Sequence, residues 1–158
     1  MEIHITVDCV PFDALSEDDR MLVEQAKAMT STSYAPYSNF HVGAALRLKD
    51  GQIFTGSNQE NAAFGMSLCA ERTAFFAASA QCPTVPPVTI AIAARAGEEF
   101  TVAPVSPCGA CRQALAESEA RFHQPIRVLL YGQSCVYVVQ SITDLLPLNF
   151  DGSSLPAC

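Results

Sequence analysis

Apolar positions recur along this chain in two periods, and the switches between them mark its elements. Near the start, Ile3, Ile5 and Val7 alternate with Glu2, His4 and Thr6. A period of two fits a short edge strand, and an extended arm packed on a neighbour reads the same way; Pro11 ends it. Leu22, Val23, Ala26 and Met29 then fall at helical spacing behind Ser16, Glu17, Asp18 and Asp19. That is a helix start with a serine cap and acids in its first turn. Tyr34-Ala35-Pro36-Tyr37-Ser38 is too rich in Pro and Ser to continue it. Residues 41–48 read as a strand, Asp50-Gly51 as a tight turn and residues 52–56 as the hairpin partner. Residues 69–80 are alanine-rich and helical until Pro83. Residues 88–94 are short and continuously apolar, as in a strand covered on both faces. A helix from Cys108 to about Ser118 follows, then a buried strand at 126–130, a strand at 136–140, and a short capped helix at 141–146 stopped by Pro147.

Only residues 131–135 separate the last two strands. Parallel neighbours need a crossover of about a dozen residues, whereas antiparallel ones are joined by a short turn. The last pair is therefore expected to be antiparallel. The elements predict an α/β domain: a mixed sheet of about five strands with helices on its faces. The 158 residues suit one domain. Its 49% hydrophobic content is enough for a core without disulfide staples. There is no internal repeat, low-complexity segment or linker.

Charge narrows the function. The net charge is −7, the pI is near 4.8, and no two basic residues are adjacent. A polyanion-binding protein carries a basic patch or stripe, so nucleic acid is not the expected substrate; a small, weakly charged molecule is. No basic-then-apolar leader opens the sequence and no apolar run is long enough for a membrane. Thiol chemistry without an export signal points to a reducing cytoplasm.

Three of the seven cysteines carry the chemistry. Cys108 and Cys111, three apart behind Pro107, share one face of a helix's first turn. Cys69 sits at another helix start. Helix N-termini favour thiolates, which zinc requires. Three protein ligands leave a fourth position open for water, the arrangement of a catalytic and not a structural site. Glu71, two residues after Cys69, can reach that water without ligating. The set reads as zinc-dependent hydrolytic deamination of a nitrogen base. A structural zinc knuckle would want a fourth Cys or His at short spacing, and a redox dithiol would leave Glu71 unexplained. Zinc with three thiolates carries a net charge of about −1, so a nearby cation is expected: Arg72 and Arg112 are candidate donors to the sulfurs, or else surface ion-pair partners. Cys9, Cys82, Cys135 and Cys158 read as inert buried or tail thiols.

The chain resembles the small zinc-dependent cytidine deaminases. The resemblance lies in Pro36-Tyr37-Ser38-Asn39-Phe40-His41-Val42-Gly43-Ala44-Ala45, Gly56-Ser57-Asn58-Gln59-Glu60-Asn61, Cys69-Ala70-Glu71-Arg72, Pro107-Cys108-Gly109-Ala110-Cys111-Arg112-Gln113 and Leu145-Leu146-Pro147. These segments stand in family order over roughly residues 17–150. The resemblance implies a three-layer α/β/α fold whose final hairpin is antiparallel, unlike that of the relatives acting on tRNA or dCMP. It implies one zinc per subunit on Cys69, Cys108 and Cys111, with Glu71 as proton shuttle between water, ring N3 and the leaving amine. It implies that the Ala70 N–H holds the C2 carbonyl, that Asn58 and Glu60 clamp the ribose diol, and that Phe40 stacks near the base, unless it only packs in the core. Phe64 lies where the family often has an aromatic reaching a neighbour's site. Phe150 matches an aromatic closing a neighbour's pocket, or else anchors the tail. The implied protein is a cytoplasmic homotetramer with shared active sites, deaminating cytidine and 2′-deoxycytidine in pyrimidine salvage. Residues 1–15 form a longer leader than a minimal member needs, read as an arm or edge strand before a catalytic domain at 16–158. Relatives acting on cytosine-containing antibiotics such as blasticidin S share the cysteines and the Glu but lack the Asn-x-Glu-Asn segment present here. A silent zinc-binding interaction subunit would not need Glu71.

Overall fold

The computed structural model describes residues 1–153 and 155; Cys158 lies outside the described residues. Helix α1 (Glu17–Met29) starts where expected: Ser16 Oγ accepts the Asp19 N–H at 3.2 Å. Strands β2 (Phe40–Leu48) and β3 (Ile53–Ser57) form the hairpin. Helix α2 (Ala70–Gln81) and strand β4 (Pro87–Ala96) follow, then helix α3 (Gly109–Phe122), closed by His123 in the left-handed region at φ 49°. Strands β6 (Arg127–Tyr131) and β7 (Val136–Val139) are antiparallel, as the short connection requires.

All five expected strands are present, and two short ones join them: β1 (Asp8–Val10) and β5 (Glu99–Phe100). The sheet order is β1-β7-β6-β4-β2-β3, with β5 beside β4. Only β4 and β6 run parallel, and the chain between them passes through α3. The edge strand lies at Asp8–Val10 and not at residues 2–7 as the alternation predicts. The cause is the partner: β1 pairs with Val136–Val138. Residues 2–7 would need partners beyond Val139, where the chain turns at Ser141 into a 3-10 turn at Ile142–Leu145. Ile3, Ile5 and Val7 accordingly stay exposed.

Both faces of the sheet are covered. Ala45, Ala91, Ala93 and Leu129 pack with Leu22, Val23 and Ala26 of α1, while Ala44, Leu46, Ile90, Ile92, Val128 and Leu130 pack with α2 and α3. This is a three-layer α/β/α sandwich, and two-sided burial explains the unbroken apolar run of β4. Two glycines allow its closest approaches. A Cβ on Gly43 would stand 2.0 Å from Ala26 O of α1, and one on Gly56 would stand 2.6 Å from Ala70 O of α2. Gly56 therefore sets the first turn of α2 directly against β3.

Two buried carboxylates tie the layers together. Asp19 accepts from Arg127 and, at 3.2 Å, from Arg47, joining α1 to β6 and β2. Burial alone would raise its carboxyl, but the Arg127 bond and charge, with Ser16 and Arg47, hold it below its ordinary value. Asp19→Asn is expected to cost about 2 kcal/mol at neutral pH, since two half-buried guanidinium groups lose their anion. A lowered folded value means that this stability is present above the unfolded value near 3.9 and is lost as pH falls through the folded one. The gap between wild type and variant in denaturant melts should be full at pH 7 and shrink below about pH 4. Glu119 of α3 accepts from Ile126 N at 2.5 Å, Ile142 N at 3.0 Å and Ser141 Oγ at 2.6 Å. It thereby fixes the start of β6 and the turn at Ile142–Leu145.

Cys9 and Cys135 are not buried thiols as their composition suggests. They meet between β1 and β7 with sulfurs 2.7 Å apart, Cys9 exposed and Cys135 half-buried; Cys82 is also half-buried.

Candidate metal centre and pocket

Two helix starts converge on one point. Cys69 is the N-cap of α2, Cys108 is the N-cap of α3, and Cys111 lies in the first turn of α3. Their ligand atoms all lie within 4.8 Å of one another, the one such group of three or more His, Cys, Asp or Glu among the described residues. Cys108 Sγ is 3.7 Å from Cys69 Sγ and 3.5 Å from Cys111 Sγ. Tetrahedral zinc with Zn–S near 2.3 Å needs sulfurs about 3.8 Å apart, so the spacing fits that ion. Electrostatics argue the same way. The Cys69 thiol is lowered to about 5, first by the Cys111 hydrogen bond, against burial, and then by Arg72 and Cys108. Cys111 is pushed far up by that bond and by burial. One thiolate forms readily and Cys111 meets its charge; a divalent cation removes the conflict.

Arg72 is the positive neighbour. It donates to Cys69 Sγ at 3.7 Å, and its Nε is buried without a protein partner. Arg112 does not reach the sulfurs. Its Nε donates to Pro107 O at 2.8 Å and its Nη1 to Leu145 O at 2.7 Å. It clamps the strap before Cys108 to the turn that Glu119 holds.

Glu71, on the first turn of α2, is 4% exposed. Burial raises its carboxyl above its ordinary value; its own backbone N–H opposes the rise and the Cys69 charge adds to it. A carboxyl raised in this way beside the thiols suits a group that takes and returns protons better than a fixed anion. Ala70 is fully buried as the first residue of α2, and an N–H there has no partner within the helix.

Beyond the thiols an open pocket of about 470 Å³ is lined by Tyr37, Ser38, Asn58, Glu60, Phe64 and Cys69, among others. Its floor is an extended segment after β3. Gln59 exchanges backbone hydrogen bonds with Leu68, both 2.9 Å, while Glu60 N–H donates to Tyr34 O at 2.8 Å. Alternation then sends Asn58 and Glu60 one way and Gln59 the other, toward Ser57 Oγ at 3.0 Å. Asn58 Oδ1 accepts from Ser33 Oγ at 2.5 Å and Val42 N at 2.8 Å, and its Nδ2 donates to half-buried Phe40's carbonyl at 2.9 Å. One amide hydrogen is left. Glu60 Oε2 accepts from Tyr37 N and Ser38 N, and Oε1 accepts from Ser38 Oγ. The Ser38 hydroxyl is the leading cause that holds its carboxyl below the ordinary range. Three of about four acceptor positions are filled. Phe64 is exposed over its own chain's pocket, edge-on to Tyr37 at 5.6 Å between ring centroids. Phe150 is exposed and held through its backbone, Gln113 Nε2 donating to its carbonyl at 2.7 Å. Of these supporting groups, Ser33 and Glu119 carry no signal in the sequence: Ser33 meets Asn58 25 residues away, and two of the three partners of Glu119 lie 22 and 23 residues away.

Three thiols at two helix starts, with a buried carboxylate and an adjoining pocket on an α/β/α sandwich, form a centre suited to zinc-assisted hydrolysis. Residues 16–123 match the description "Cytidine and deoxycytidylate deaminase zinc-binding region". The chain is similar to the cytidine deaminase of Halalkalibacterium halodurans, at 47% identity over 100 residues covering 63% of this chain and 71% of that one. It is also similar to the cytidine deaminase of Mycobacterium tuberculosis, at 35% over 142 residues, 88% and 94% of the two chains. The crystal structure of cytidine deaminase from Burkholderia pseudomallei superposes with a TM-score of 0.73 at 42% identity, over 86% of this chain and all of that one. The chain belongs to the cytidine and deoxycytidylate deaminase zinc-binding family, and it is a hydrolytic deaminase. No helix among the described residues is long and apolar enough to cross a membrane.

Proposed function

We propose that this enzyme hydrolyses cytidine and 2′-deoxycytidine to the corresponding uridines and ammonia, within pyrimidine salvage in a reducing cytoplasm. The observation that carries this reading is the buried Glu71 beside the thiols, next to a pocket lined by Cys69 in which Asn58 has one amide hydrogen left and Glu60 one acceptor position. Zinc, one per subunit on Cys69, Cys108 and Cys111, would supply Lewis-acid activation of water at neutral pH. As the water oxygen bonds to C4, Glu71 takes one of its protons and delivers it to ring N3; Glu71 then carries the oxygen's remaining proton to the amine, and the C4–N bond breaks to release ammonia and leave the C4 carbonyl. The Ala70 N–H holds the C2 carbonyl, Phe40 flanks the base, and Arg72 offsets the charge of the thiolates.

The remaining capacity of the clamp bears on the sugar. One donor and one acceptor suit a single hydroxyl, which accepts from Asn58 and donates to Glu60. That is narrower than a diol clamp, and it admits ribose and 2′-deoxyribose alike if the hydroxyl read is one that both sugars carry. Exposed Phe64 and Tyr37 at the pocket, with exposed Met66 and Phe150, are apolar surface that a neighbouring copy would cover. We assign the enzyme as a homotetramer in which Phe150 closes a neighbour's pocket, with residues 16–158 as the catalytic domain and 1–15 as an arm that carries the edge strand β1.

The test is uridine and ammonia release by purified protein from cytidine and from 2′-deoxycytidine, with zinc content and sedimentation measured on the same sample. Turnover of both by a zinc-loaded tetramer is expected. A zinc-loaded protein that turns over neither would shift the substrate to another aminopyrimidine.

A further inference from the structure

Glu60 can read a sugar hydroxyl only if its carboxylate stands in one place. What holds it comes almost entirely from the loop before β2. Tyr37 N–H and Ser38 N–H donate to Oε2 at 2.9 and 3.3 Å, and the Ser38 hydroxyl donates to Oε1. The same Ser38 Oγ accepts the Phe40 N–H at 3.1 Å. This fixes the direction of the hydroxyl: one lone pair is taken by Phe40, so its single hydrogen goes to Glu60. Asn39, in the left-handed region at φ 52°, turns the chain so that both bonds form at once. One side chain thus touches both the carboxylate at the sugar end and the backbone of the aromatic residue at the base end.

We propose that Ser38 is a positioning residue for nucleoside recognition: its hydroxyl fixes Glu60 for the sugar and registers that placement against Phe40. The proposal rests on the nucleoside reading above. Ser38 sits at the surface of the open pocket, so removing its hydroxyl leaves the fold intact, and the two backbone donors still hold one oxygen of Glu60. The other oxygen is then free to rotate, and the acceptor position meant for the sugar moves with it. Binding suffers while the chemistry at Glu71 does not.

The experiment is a double-mutant cycle on cytidine with Ser38→Ala, Glu60→Gln and the pair, with Ser38→Thr as the variant that keeps the hydroxyl. Ser38→Ala should raise KM about fivefold with kcat within about twofold, as loss of one charge-assisted bond out of three implies. Glu60→Gln should raise KM at least tenfold, and adding Ser38→Ala to it should change KM by less than about twofold, because Ser38 acts through the missing carboxylate. Ser38→Thr should stay near wild type. Additive losses, or an unchanged Ser38→Ala, would overturn the role of Ser38 while leaving the clamp in place. Unchanged Glu60→Gln kinetics would instead remove the clamp itself and the proposal with it.

Discussion

Replacing Glu71 by Gln is expected to lower kcat on cytidine by about 10²–10⁴, the range for a lost general acid–base. The upper end is expected because, in the proposed mechanism, one carboxylate serves in both directions of proton transfer. Gln keeps the size and the hydrogen-bonding oxygen but can neither take nor give the proton. Glu71 is buried, and the acid that lines the pocket, Glu60, is held by Ser38 and Tyr37. The zinc content should not change, since Glu71 is not one of the clustered ligands. Stability should be equal or higher, because burial already disfavours the charged carboxylate. Steady-state kinetics, metal analysis and a thermal melt on one preparation check all three. A variant that keeps more than about a tenth of wild-type kcat would remove the shuttle role.

The centre was legible in the sequence because its determinants are local. Cys108 and Cys111 share a helix turn behind Pro107, Cys69 starts another helix, and Glu71 lies on that helix's first turn. Thiolate preference for helix N-termini then says what the spacing is for. The antiparallel last pair was legible for a similar reason, since a short connection excludes a crossover. What was not legible depends on partners far along the chain. Residues 2–7 have the alternation of a strand, but β7 offers partners only to Asp8–Val10. Strand β5 has two residues after the turn at Gly97, too few to show a period. Arg112 follows a ligand in sequence, yet it bonds to Leu145 O, 33 residues on, because α3 and the last turn meet in space. The proposed clamp shows the same division. The family resemblance pointed to Asn58 and Glu60 and alternation put them on one side, but their free capacity is set by Ser33, Tyr37, Ser38 and Val42. The identity of a functional residue can be read locally, whereas its residual hydrogen-bonding capacity is a property of the fold.

Cys111→Ser is expected to have the other large effect, on the metal itself. Cys111 is fully buried and Cys108 is exposed, so its sulfur is the ligand atom that water can least replace. A serine hydroxyl does not ionise near neutrality and would have to approach zinc at about 2.0–2.2 Å in place of 2.3 Å, which the fixed first turn of α3 does not allow. Removing a group that merely supports a ligand weakens metal binding about 10–100-fold, and removal of a ligand should exceed that. Zinc should fall from about one per chain to a small fraction after dialysis against a mild chelator. Turnover should fall with it. The melting temperature should also drop, because a metal bound only by the folded state stabilises it by mass action. Cys82→Ser serves as the control: its thiol lies against Gln52 Oε1 at 3.7 Å, away from the cluster, and should retain zinc, activity and melting temperature. A Cys111→Ser protein that keeps its zinc under the same dialysis would show that two thiols suffice and would remove Cys111 from the ligand set.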